Sequence, residues 1–355
     1  MARTPAGSGT VGILLALGAL GCGRLGFEQL PPDGGRIDGG SDAGARDAGM
    51  DAGVDGGRDA AVDAGPPPDA GPPTWEARPL CGFGTGAWTL TEPAPVTELN
   101  EAGATDLEPQ LTADGLTMYL ASDRGGRFAV YVSTRPDTSA PFSTPVPVDG
   151  LGAGDRNVYH FAPTSDGLGG LAAAAGVPGG TGRADIWIVE RATTSDPFAF
   201  VSPAGTFNTA ENEHDPWLSP DDLRVYFLSE GLPDGLGGQD LYMASRPAPG
   251  AAFDAVVHLT ELDTVDDEDN PALTSDELHI VFGSDRPGGT GDKDLWIASR
   301  TSRTEPFGPA ANLAPLNTAG RDAESHISPD GCELYLTREV AGGGVDIFRS
   351  RVIAR

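Results

Sequence analysis

Basic residues are scarce in this chain: Lys and Arg together number 23, against 52 Asp and Glu, for a formal net charge of −29. Nucleic-acid binding needs Lys and Arg to displace phosphate counterions, and docking on anionic lipid needs the same charges, so both partner classes are excluded. Helical periodicity of useful length is missing after Leu20, which leaves strands to build whatever folds. The apolar run from Val11 to Leu20 falls short of the roughly 20 residues that a membrane-spanning helix needs. No Gly-x-Ser-x-Gly elbow occurs and the five His are scattered, so Ser-His-Asp chemistry has no framework.

Large apolar residues are nearly absent from Pro31 to Pro73, where Asp-Ala-Gly recurs at Asp42, Asp47, Asp51, Asp63 and Asp69. Such a segment has too little to bury to offset its ordering entropy, and disorder is expected. Asp51, Asp55 and Asp59 recur every fourth residue, but a calcium-binding EF-hand loop needs ligands at alternate positions and a closing Glu, and has neither here. As a flexible tether from Cys22 to Cys81, the segment would span about 40 Å r.m.s..

What is present is a repeat. Asp267 to Arg300 reads as an acidic residue and Pro, then Thr-x-Asp, a strand, a Ser-Asp-Arg and Gly-Gly turn, Asp, and a second strand; the pattern returns four more times. The Asp of Ser/Thr-x-Asp stands at 114, 166, 221, 276 and 330, and the aromatic of the second strand at 131, 187, 242, 296 and 348. Both markers keep a period of about 54, which is the sequence sign of a solenoid or propeller. Phe142, Phe198, Phe253 and Phe307 each open a similar stretch, and Trp88 to Asn100 is another. The chain therefore begins with the fourth strand of a unit and ends, at Asp346 to Ile353, with a third strand and no fourth.

That complementarity predicts a closed ring, because a propeller whose N-terminal strand completes its last blade leaves no exposed sheet edge. The expected fold is all-β, a five-bladed β-propeller over residues 81–355; six blades fit less well, since too few residues precede Trp88. The Gly169 to Ala175 run of blade 2, without an aromatic strand, and blade 1, with Phe128-Ala129 where others carry Asp, are expected to be less ordered. Cys81, just upstream of Trp88, and Cys332, opening a strand of the same blade, are predicted to form a disulfide outside the cytoplasm.

The Ser/Thr-x-Asp motifs read as turn caps, with the Asp accepting backbone N–H groups. Asp185, Asp240, Asp294 and Asp346 read as holders of the turn in their own blade. Gly288 to Asp292 is similar to a calcium β-roll, but one copy per unit cannot stack, so a hairpin turn is expected. Six residues before each turn Asp stand Glu108, His160, Asp215, Asn270 and Glu324, predicted to lie just ahead of each innermost strand at one mouth of the central channel. Two carboxylates about 8 Å apart repel by about 2 kcal/mol at an effective dielectric near 20. Glu108, Asp215 and Glu324 in one mouth would thus favour a cation such as calcium, a protonated member or a basic partner group, unless the mouth is wide and hydrated.

Ser219-Pro220-Asp221, Ser328-Pro329-Asp330-Gly331 and Ser284-Asp285-Arg286-Pro287-Gly288-Gly289 with Asp294-Leu295-Trp296 resemble the TolB-type propeller repeat, the Pro-Asp relative of the WD repeat. The Ser-Asp-Arg-Pro-Gly-Gly form also resembles repeats beside OmpA-like domains of bacterial envelope proteins. The resemblance implies an extracytoplasmic propeller that binds other envelope components without catalysis; a protein or glycan partner and a monomeric chain are expected. TolB itself has six blades and an extra α/β domain, which this chain lacks, so its partner does not carry over. Five-bladed glycosidases also place carboxylates in the channel mouth, which makes a carbohydrate-active enzyme using Glu108, Asp215 and Glu324 the alternative. Against it, the three stand at repeat-equivalent positions, whereas catalytic residues usually break a repeat.

Met1-Ala-Arg3, the apolar run and Gly21-Cys22 have the layout of a secretory signal. Ala19-Leu20-Gly21-Cys22 resembles the bacterial lipobox, with Ala19 where Leu is usual. The resemblance implies removal of residues 1–21, acylation of Cys22, a membrane contact through that lipid, and a tether over residues 22–80. Gly23 is not the Asp that retains lipoproteins in the inner membrane, so an outer-membrane or surface location is expected.

Overall fold

The computed structural model describes residue 81 and residues 88–354, apart from 153–155 and 342. The signal segment, the tether and Cys22 lie outside the described residues. Those described form a five-bladed all-β propeller, with no helix among them. The innermost strands are Asp106–Leu111, Asn157–Pro163, Glu213–Leu218, Glu268–Leu273 and Asp322–Ile327. Blades 1 to 4 are antiparallel sheets of four consecutive strands. Blade 5 takes its first three strands from the end of the chain, and Trp88–Leu90 and Ala94–Pro95 both pair with its third strand, Val345–Ala354.

The apolar core lies between blades. Each cluster joins two consecutive ones: Tyr119 and Val130 with Phe161 and Trp187, Ile186 and Phe207 with Phe227 and Phe253, Tyr226 and Leu241 with Ile280 and Phe282, Val281 and Leu295 with Leu334 and Leu336. The fifth brings Tyr335 and Ile347 of blade 5 against Leu99, Met118 and Tyr131. One blade alone would leave these faces wet, so the hydrophobic drive itself requires the circle. Cys81 and Cys332 are joined by a disulfide spanning 251 residues.

Repeated polar devices fix the strands. In all five blades the Ser or Thr hydroxyl donates to the turn Asp, as from Thr112 to Asp114 and from Ser328 to Asp330, and that Asp accepts the N–H two residues on. Arg135, Arg191, Arg246 and Arg300, each following a third strand, lie 4.3–4.5 Å over the rings of Phe142, Phe198, Phe253 and Phe307. Asp185, Asp240 and Asp294 accept N–H groups of their own hairpin turns, from Gly182, Gly237 and Gly291 among others. Asp346 differs: no described turn N–H donates to it, and the blade 5 turn closes through its own backbone, Gly343 to Val340 and Val340 to Gly344.

Blade 2 corrects the expectation of weaker order. Gly169–Ala175 is a seven-residue strand paired on both sides. The small residues make room for a neighbour: a Cβ on Gly170 would stand 2.2 Å from the Phe161 ring and 2.7 Å from the Ala162 carbonyl oxygen. Blade 1 likewise forms its third strand, Ala129–Thr134, without the Asp.

Candidate functional site

Each innermost strand carries one extra residue, a β-bulge, midway along its length; in blade 1 the ladder passes from Leu107 opposite Ala121 to Gln110 opposite Tyr119. The same interruption falls at Tyr159, at Asp215 and Pro216, at Asn270 and Pro271, and at Glu324 and Ser325. Proline, which cannot donate to a ladder, is tolerated at such a gap. A bulge also re-aims the side chain beside it. Glu108, Asp215, Asn270 and Glu324 take left-handed backbone, with φ of 55°, 53°, 53° and 30°, which costs roughly 1–3 kcal/mol each for non-glycine residues.

The five repeat-equivalent residues therefore stand within the innermost strands, not ahead of them at a mouth, and they are buried: none exceeds 6 % exposure. This corrects both the mouth placement and the wide, hydrated alternative. Glu108, His160 and Asp215, from blades 1, 2 and 3, come together, with one donor atom of each within 4.8 Å of the others. His160 Nδ1 lies 2.7 Å from Glu108 Oε2 and 4.0 Å from Asp215 Oδ1. Asn270 donates its main-chain N–H to Asp215 Oδ2 at 3.2 Å. Glu324 stands apart, held by Arg321 at 2.7 Å and by the Thr337 hydroxyl.

Sequence reasoning missed the cations around this set. His214 contacts Asp215 directly, and Lys293 is bonded to Asp269, which also lies 3.7 Å from Arg321. A signal existed: Lys293 is the only lysine in the chain, and it and Arg321 each stand just before an Asp that opens a strand, the third of blade 4 and the innermost of blade 5. The two residues pair as an isolated bridge between blades 4 and 5.

Burial, then the charges of Asp215 and Glu324, push the Glu108 carboxyl well above the usual carboxylate range. Burial also pushes Asp215 upward, but His214 and its hydrogen bond outweigh it and bring Asp215 to about 2. Burial lowers His160 to about 3, leaving a neutral imidazole, while His214 is raised because the Asp215 carboxylate overcomes its desolvation. The set thus brings a carboxyl with a raised pKa, a carboxylate with a lowered one and a neutral imidazole into contact.

Beyond the bulges, the innermost strands run to a cavity of about 70 Å³ lined by residues of all five blades, among them Gln110, Ser165, Trp217, Ser275 and His326. None of Glu108, Asp215 and Glu324 lines it. His326, lowered to about 3 by burial, accepts the Leu111 N–H at 3.2 Å through Nε2 and links blade 5 to blade 1.

A second group departs from its repeat in blade 3. In blades 2, 4 and 5 an Asn, at 208, 317 and 100, accepts an N–H from the third strand and donates to the carbonyl of the same residue. Blade 3 has Asp263, which accepts the Leu241 N–H and lies 2.8 Å from His258 Nε2. Burial, with Glu268 and Asp240 nearby, pushes Asp263 up to about 8.

No protein-family model and no curated protein matches the chain. Solved structures resemble its fold. An α-L-arabinofuranosidase from Lactobacillus brevis has a TM-score of 0.51 at 10 % identity, over 73 % of this chain and 94 % of that one. A thermostable family-43 glycoside hydrolase gives 0.48 at 13 %, over 75 % and 94 %. TolB from Acinetobacter baumannii gives 0.42 at 17 %, over 70 % and 54 %. At these identities the likeness is one of fold.

Proposed function

We propose that the chain is a non-catalytic binding or scaffolding propeller of the bacterial cell envelope, lipid-anchored at Cys22 and engaging an envelope protein or a glycan. The observation that carries this reading is the state of the channel carboxylates. Glu324 is satisfied by Arg321 and Thr337, Asp215 by His214 and Asn270, and Glu108 lies against His160. Groups buried and paired internally serve the ring, while a glycosidase needs an acid and a base or nucleophile flanking a bond in an open cleft. The Ser-Pro-Asp and Ser-Asp-Arg-Pro-Gly-Gly repeats and the net charge of −29 agree with an envelope location away from nucleic acid.

One observation favours the glycosidase alternative: Glu108 is raised while its neighbour Asp215 is held at about 2, a split that suits an acid beside a base. Chemical cross-linking in native membranes, followed by purification of the chain, tests the binding reading. A partner recovered stoichiometrically with wild-type chain, and retained when Glu108→Gln is used, supports it. Recovery of the chain alone, from the soluble fraction and without acyl label at Cys22, contradicts it.

A further inference from the structure

We propose that Glu108, His160 and Asp215 form a binding site for one divalent transition-metal ion, zinc or manganese, inside the propeller channel. Ligand atoms about 2.1 Å from a single ion stand no more than about 4.2 Å apart. His160 Nδ1 meets that limit with both carboxylates, at 2.7 Å from Glu108 and 4.0 Å from Asp215. Each ligand comes from a different blade and sits beside a bulge in its innermost strand. An ion there would tie three blades at their centre.

An acidic pair alone would be satisfied by a proton, and it is the imidazole that points to a metal. His160 is only 2 % exposed; its Nδ1 faces the Glu108 and Asp215 carboxylates, and its Nε2 is buried without a hydrogen-bond partner. Leaving such a group dry and unpaired is costly unless something coordinates it. Among the five repeat positions, this is the one where an imidazole replaces an acid or amide. Blade 4 adds a further donor beside the set, since Asn270 Oδ1 is buried without a hydrogen-bond partner. Nitrogen from imidazole with carboxylate oxygens suits zinc or manganese, whereas calcium takes 6–8 oxygen ligands. The cation expected from the repeat positions is therefore assigned to a different chemical class from calcium.

Asp240, His258 and Asp263 also bring three donors within 4.8 Å, but they replace a hydrogen-bonded set. In blade 4 the same places hold Asp294, Asn312 and Asn317, linked through Asn312. Asp240 accepts the Leu236 and Gly237 N–H groups, and Asp263 accepts that of Leu241. That group serves as the control.

The full chain is stripped with EDTA, dialysed, and titrated with zinc, manganese, calcium and magnesium chlorides, reading bound metal by mass spectrometry and Tm by calorimetry. One equivalent of zinc or manganese is expected, with a Tm that rises with free ion concentration. Pulsed electron paramagnetic resonance of the manganese-loaded wild-type chain is expected to show one coordinated imidazole nitrogen. Affinity falls at least tenfold in His160→Gln and in Glu108→Gln and is unchanged in His258→Gln. The proposal is overturned if the wild-type chain takes up no equivalent of either ion, if the bound manganese has no imidazole nitrogen, or if folded His160→Gln binds as wild type does. Because the readouts are stoichiometry and spectroscopy, they stand apart from whether the propeller is a binding module.

Discussion

Leu90 pairs with Val352, so the first and last described strands run antiparallel in one sheet and the ring is closed by its own ends. Cys81, upstream of that junction, is bonded to Cys332 at the turn that opens the second strand of the same blade. Closure is thus secured twice, once by strand pairing and once covalently.

Removing the bond with the double substitution Cys81→Ala and Cys332→Ala is expected to lower stability. The chain-entropy model gives an upper value of about 5 kcal/mol for so long a loop. Denaturant unfolding of the double variant should show a lower midpoint by an amount corresponding to about 2–5 kcal/mol. Midpoints equal within error would show that the bridge does not constrain the unfolded chain.

Glu277, fully buried in a turn of blade 4, takes two hydrogen bonds from Arg224 of blade 3, at 2.7 and 2.8 Å, and one from the Tyr226 hydroxyl at 3.0 Å. Glu277→Ala leaves the Tyr226 hydroxyl without its acceptor and Arg224 with Asp221 alone, and breaking a buried pair in this way typically costs about 3–5 kcal/mol. Arg224→Ala is expected to cost a similar amount by leaving the carboxylate without its main partner. A double-mutant cycle measured by urea unfolding should return a large coupling energy; additive effects would refute the clamp between blades.

Gly170 should not tolerate a side chain. Gly170→Ala forces its methyl into the Phe161 ring and the Ala162 carbonyl, and overpacking of this kind costs about 1–3 kcal/mol. Thermal unfolding that matches wild type would mean that Phe161 can leave blade 2 without loss.

How much of this was legible depended on whether a feature repeats. The period announced the blades, and the surplus strand at Trp88 with the deficit after Ile353 announced the closure. The Gly169 to Ala175 strand was misread because its small residues answer Phe161 on the neighbouring strand, a contact that no pattern along the chain displays. The equivalence of Glu108, His160, Asp215, Asn270 and Glu324 was visible, but their depth was not, since a bulge leaves no mark beyond the Pro that follows three of them. His214, Asp269, Lys293 and Arg321 escaped notice because none is a repeat marker: His214 acts on its neighbour Asp215, Lys293 on Asp269 across the sheet of blade 4, and Arg321 on Asp269 across a blade boundary. Asp263 in place of Asn was a break in a repeat that only its partners, Leu241 and His258, make meaningful.

Asp263 carries a pH dependence. Its folded pKa, pushed up to about 8 by burial, lies above that of an unfolded Asp, near 3.9. The folded state therefore holds a proton that the unfolded state releases, and the contribution is complete below about pH 4 and lost as pH rises toward 8. Facing Asp263 are His258, Asp240 and Glu268, with the Arg286 guanidinium acting in the opposite sense. Asp263→Asn restores the two-way hydrogen bond seen at Asn208 and Asn317, and should flatten the profile. Tm of the variant is expected to exceed wild type above pH 8 and to converge with it below pH 5. Parallel profiles would contradict this assignment.

The most direct test of the account is a hydrolysis assay of the purified full chain on a panel of aryl glycosides and plant and bacterial polysaccharides, beside Glu108→Gln, Asp215→Asn and Glu324→Gln. A channel whose acids are buried and internally paired predicts no turnover by the wild-type chain above that of the three variants. Product formed by wild type and abolished by Glu108→Gln or Asp215→Asn would contradict the account and make the propeller an enzyme.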